Sequence, residues 1–62
     1  MTPAEAIRNA RLKAGLTVRE LAEKMHCYPN QVYRWERGDA TPSAATLRKI
    51  VDATGQPIRV DY

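Results

Sequence analysis

Residues 17–38, TVRELAEKMHCYPNQVYRWERG, leave this chain few ways to fold. Two short helical patterns flank an abrupt break. Thr17 opens the first, with Glu20 three residues on. That is the spacing of a capping box, in which the Thr hydroxyl accepts from an orphan N–H and the Glu carboxylate reaches back to the cap. Leu21, Ala22 and Met25 then share one helical face. The pattern stops at His26-Cys27-Tyr28 and restarts at Pro29, whose missing N–H suits a first helical position. Val32 and Trp35, three apart, give the second helix an inner face. Gly38 is placed to close it in the left-handed conformation that ends many helices.

The flanking sequence supplies two more helices and a tail. Thr2 reads as an N-cap with Pro3 behind it and Glu5 in the first turn, near the positive end of the dipole. Ile7, Ala10 and Ala14 form one face of a helix over residues 3–14, with Leu12 nearby, and Gly15 stops it. Leu16 is placed as a hydrophobic staple against Leu21. Ser43 caps a last helix reaching residue 54, with Leu47, Ile50 and Val51 inward, Arg48 and Lys49 outward, and Gly55 as the stop. In the tail, Ile58, Val60 and Tyr62 alternate with Arg59 and Asp61, which is a strand period. A lone strand needs a mate, so the tail is either a strand paired across a dimer two-fold or a frayed terminus.

The whole arrangement resembles the helix-turn-helix of phage-repressor-like regulators, the Cro/CI or Xre type. The resemblance rests on Thr17, Leu21, Ala22, the tripeptide Glu36-Arg37-Gly38, and Pro42-Ser43 followed by Leu47 and Gly55. It runs from about residue 7 to residue 55. Two amphipathic helices and a turn are common. The E-R-G ending with P-S four residues later is far more specific.

Composition is compatible with that resemblance and excludes other classes. Sixty-two residues make one domain. A chain this short buries only about 60% of its unfolded surface, so dimerisation would add useful core. The formal net charge of +3 leans weakly towards a polyanionic partner. A single Cys cannot form an internal disulfide and fits a reducing compartment. No apolar run approaches the ~18 residues of a membrane span, and the N-terminal residues lack a signal-peptide core. Paired catalytic carboxylates and a Gly-rich phosphate loop are absent, and the only His has no Ser or Asp in a readable relation to it. The sequence therefore reads as a non-enzyme without a cofactor. His26 and Cys27 are adjacent, which is neither the spacing nor the number of ligands a metal requires.

The fold expected is mainly α: a four-helix helix-turn-helix domain over residues 1–55, with a C-terminal strand over 56–62 as a candidate dimerisation element through Ile58, Val60 and Tyr62. On the second helix of the motif, at ~100° per residue, Asn30, Tyr33, Arg34 and Arg37 share an arc of roughly 100°, opposite Val32 and Trp35. Asn suits adenine and Arg suits guanine in the major groove, while a solvated polar face is the plain alternative. The resemblance implies that Pro29, Asn30, Tyr33 and Arg34 face bases. Thr17, Val18, Arg19, Tyr28, Arg37 and Thr41 are the residues expected at phosphates, and the resemblance pairs Arg11 with Glu36, with a solvated Arg11 as the plain alternative. The function implied is a sequence-specific transcriptional regulator of double-stranded DNA, a homodimeric repressor on a palindromic operator, bacterial or phage-encoded and nucleoid-associated in the cytoplasm. An antitoxin-like regulator that also binds a toxin, and a protein adaptor that has lost DNA binding, remain as alternatives.

Four positions depart from the family pattern. Val18 stands where Gln is frequent, so only main-chain N–H groups there can hold a phosphate; Arg19 either replaces that contact or is solvated. His26 stands where Gly is usual, at a position that commonly needs φ > 0. Tyr28 replaces a capping Ser or Thr, with Gln31 placed to compensate, and its side chain is either a phosphate-contacting hydroxyl or a packed ring. Asp39 stands where members are often basic. Cys27 is expected to pack as a small hydrophobe.

Overall fold

Helix boundaries in this chain are set by short-range hydrogen bonds. The computed structural model describes residues 2–58, in which four helices follow one another: α1 (Pro3–Lys13), α2 (Val18–Met25), α3 (Pro29–Arg37) and α4 (Ala44–Thr54). Thr2 accepts from the Glu5 N–H at 3.3 Å and Ser43 from the Thr46 N–H at 3.2 Å. Thr17 closes the full box: its hydroxyl accepts from the Glu20 N–H at 3.1 Å, and its own N–H donates to Glu20 Oε1 at 2.9 Å. Only α3 starts without a side-chain cap, because Tyr28 offers none. Gln31 meets Tyr28 through the main chain, its N–H donating to the Tyr28 carbonyl at 3.0 Å.

Helix ends use left-handed residues. Gly38 has φ 81°; its N–H bonds the Trp35 carbonyl, and the Asp39 N–H bonds the Arg34 carbonyl at 2.9 Å. This pair of bonds is the Schellman arrangement, which satisfies carbonyls the helix would leave orphaned. His26 ends α2 with φ 57° and ψ 43°, the one non-glycine at positive φ among the described residues.

Ile7, Leu21, Val32 and Ile50, one from each helix, are fully buried and pack with Ala22, Trp35 and Leu47. Both α1 and α2 pack on α3 and α4. The staple residue Leu16 and the turn residue Cys27 pack against this cluster, as does Val18.

Three details differ from the sequence expectation. The first helix ends at Lys13 with Ala14 as its cap. Leu12 is 54% exposed, and Ala6 takes a core place instead. On an ideal helix Leu12 lies about 140° from Ile7, whereas Ala6, Ala10 and Ala14 fall within about 100° of it on the other side. Thr54 is also buried, its hydroxyl donating to the Ile50 carbonyl at 2.8 Å and accepting from the Gln56 N–H at 3.2 Å.

The expected C-terminal strand is not found among the described residues. Ile58 has irregular backbone and packs against the helical core of its own chain. Core burial of an apolar side chain supplies free energy within one chain, whereas an unpaired strand leaves its N–H and C=O groups without partners. Val60 and Tyr62 lie outside the described residues.

Candidate nucleic-acid interface

Helix α3 divides into two sides. Val32 is 0% exposed and Trp35 is 8% exposed, while Asn30, Tyr33, Arg34 and Arg37 all face solvent. Pro29, in the first turn, is half-buried. The outward arc thus carries an amide, a phenol and two guanidinium groups, and it is held by a helix whose opposite side is locked in the core.

A buried ion pair fixes the orientation of α3. Arg11 Nε donates to Glu36 Oε2 at 2.8 Å and its Nη2 to Oε1 at 3.0 Å. The two side chains are only 13% and 10% exposed. Two parallel bonds define the angle between the planes as well as the distance, which is what the guanidinium fork adds over an ammonium. The Glu36 hydrogen bond pushes the Arg11 pKa above its ordinary value, despite the opposing effect of burial. Arg11 Nη1 also donates to the Leu16 carbonyl at 3.1 Å, so one side chain ties α1, the entry to α2, and α3 together. The α1–α3 pair matches the expectation; the Leu16 contact has no signature in the sequence, since a backbone carbonyl is present at every residue.

The expected phosphate-facing residues are disposed unequally. Thr17, Arg19, Tyr28, Arg37 and Thr41 are exposed, but Val18 is half-buried against the core. At the start of α2 the Thr17 N–H is taken by Glu20. A helix's first N–H groups have no intrahelical acceptor, so those of Val18 and Arg19 are the main-chain donors left for an anion. The Thr17 N–H in turn holds the Glu20 carboxyl below its ordinary value. Tyr28 is 84% exposed, which rules out the packed-ring alternative.

Arg37 carries a constraint that the sequence reading missed. Its Nε lies 3.2 Å from Asp39 Oδ2, with the side chains 64% and 57% exposed. The signal was present as opposite charges two apart across Gly38, but only the left-handed turn brings them together.

Other candidate chemistry has no support in the geometry. Burial pushes the half-buried Cys27 thiol above its ordinary value, the opposite of what a reactive thiolate requires. Among the described residues no group of three His, Cys, Asp or Glu side chains could hold a metal ion, and no helix is long and apolar enough to cross a membrane.

A capped α2, a left-handed turn and an α3 with one locked side and one polar side define a helix-turn-helix domain. The chain belongs to the helix-turn-helix family of the Xre/Cro type, whose sequence profile matches residues 7–60. It is also similar to a protein of Aeropyrum pernix provisionally named an HTH-type transcriptional regulatory protein, with 35% identity over 54 residues. That match covers 87% of this chain and 16% of the relative, so the chain spans a small part of the longer protein's length.

Proposed function

We propose that this chain is a DNA-binding transcriptional regulator that acts as a homodimeric repressor, reading duplex DNA with α3 in the major groove. The observation that carries this reading is the division of α3. Val32 and Trp35 anchor it, and Asn30, Tyr33 and Arg34 are left free to meet base edges, with Pro29 at the leading end. The Asn amide can pair with adenine N6 and N7, and the guanidinium with guanine O6 and N7. The phosphates on either side are taken by the Val18 and Arg19 N–H groups, the Thr17 hydroxyl, Arg19, Tyr28, Arg37 and Thr41. Thr17 can still donate its hydroxyl proton while accepting the cap bond. Two such chains on a palindromic operator would set their recognition helices roughly 34 Å apart, on successive major grooves. Repression would follow from occlusion of a promoter. The name of the Aeropyrum pernix relative is consistent with regulation, and the +3 net charge with a polyanionic partner.

Selection of bound duplexes from a random pool tests the proposal and yields the operator. Arg34→Ala and Asn30→Ala should then relax preference at one base pair each, by about 1–3 kcal/mol of discrimination. Random-sequence binding should change much less. Both variants retaining the wild-type sequence preference would remove α3 as the reader. The proposed dimer is tested by sedimentation of the intact chain against one ending at Ile58, which spares the core contact of that residue. An unchanged association state would exclude Val60 and Tyr62 as the dimerisation element.

A further inference from the structure

A groove runs along the outer side of α4. Leu47, Val51, Ile58 and the exposed Ala44 line it, together with the exposed Arg48 and Asp52. Ile58 forms one wall because the chain packs back against the core at that residue. Val51 and Ile58 are only partly buried, so apolar surface there still meets water, and covering it is favourable. The two charges bear on what can cover it. Arg48 and Asp52 are four residues apart and so lie on one side of the helix. Cation before anion is the poorer order for a pair within one helix. Neither side chain makes an ion pair or hydrogen bond among the described residues, so both are available to another surface. A cation and an anion one turn apart are complementary to their own copy reversed. With a two-fold axis midway between them, each Arg48 faces the partner's Asp52, and the two Val51 side chains come close to the axis. The neighbouring groove between α2 and α4 lacks this balance. Lys24, His26 and Lys49 line it against Asp52 alone, so a second copy there would set like charges together.

We propose that the groove of Leu47, Val51 and Ile58 is the surface on which a second copy of this chain docks, α4 against antiparallel α4, with each Arg48 paired to the partner's Asp52. The inference rests on the homodimer reading above and supplies its interface. The contact uses none of the residues of the α3 arc and none of those expected at phosphates. It also adds apolar burial to a chain too short to bury much of its surface alone. The apolar floor supplies the attraction, and the reciprocal charges set the register and exclude the parallel arrangement, which would oppose like charges.

The test is sedimentation equilibrium of the intact chain without DNA. It compares wild type, Arg48→Asp, Asp52→Arg, the double variant, and an equimolar mixture of the two single variants. Both positions are exposed, and circular dichroism melts check that the fold is intact. Each single variant turns two attractive pairs per dimer into two repulsive ones, so the dimer dissociation constant should rise on the order of tenfold. The double variant reverses both members of each pair and should return close to wild type. In the mixture one surface is all acidic and the other all basic, so the heterodimer should form more tightly than either variant's homodimer. A substitution that merely disturbed the fold would show neither recovery. The proposal is overturned if the single variants dimerise as wild type does, or if the double variant dimerises no better than the singles. If the wild-type chain stays monomeric even at millimolar concentration, the homodimer reading itself fails and this one with it.

Discussion

Replacing Glu36 with Ala should come close to unfolding the chain. Glu36 accepts two bonds from Arg11, and the pair is about nine-tenths removed from water. The variant leaves the Arg11 guanidinium charged, since an arginine does not give up its proton in proteins, and strips it of its carboxylate. The Leu16 carbonyl alone remains as a partner. Removing one member of a buried pair costs about 3–5 kcal/mol, chiefly the penalty of an uncompensated charge. A 62-residue chain at the usual stability per residue has about 3–9 kcal/mol in total. Urea titration followed by circular dichroism should therefore show a greatly lowered midpoint, or no folded baseline. Arg11→Met with Glu36→Leu removes both charges and should recover most of the loss, because apolar replacements of a buried pair are often neutral. A Glu36→Ala midpoint within about 1 kcal/mol of wild type would refute the reasoning, since it would put the pair in the range of exposed ones.

Trp35→Ala should cost about 3–5 kcal/mol, read in the same titration, because an 8% exposed indole leaves a cavity where α3 meets the core. The Thr17–Glu20 box should weaken in acid. The folded chain holds Glu20 below its ordinary 4.5, so the stabilisation is complete above that value and is lost as pH falls through the lower folded-state value; Glu20→Gln should lack this component when urea midpoints are compared between neutral and acidic pH. His26→Val should lower stability by about 1–2 kcal/mol, since a β-branched residue is strained at φ 57°, and His26→Gly should not. Equal midpoints for Val and Gly would show that the turn relaxes out of the left-handed conformation.

The reach of the sequence can be judged from particular residues. The boundaries of α2 and α3 and the caps at Thr2, Thr17 and Ser43 followed from neighbours within a turn or so, whereas the left-handed His26 was expected only from the family pattern. The inner and outer faces of α3 followed from its period. The Arg11–Glu36 bond spans 25 positions and was expected only from family resemblance. Leu12 lies near the core face in sequence but not on it; its angle on the helix points it outward. The two-residue period of the tail records which side chains are apolar but not what covers them, and for Ile58 that cover is the core of its own chain.

By itself, then, the sequence determined the helices, their starts and the polar arc of α3. Those features depend on hydrogen bonds and steric limits that act between residues a few positions apart, and they are the same in any surroundings. Only the tertiary structure decided which charges are engaged. Arg11 is strongly bonded because four helices exclude water around Glu36, and Arg37 is lightly held by Asp39 because a Schellman turn exposes both to solvent. The strength of an ion pair depends on the dielectric around it, and that environment does not exist until the chain has packed.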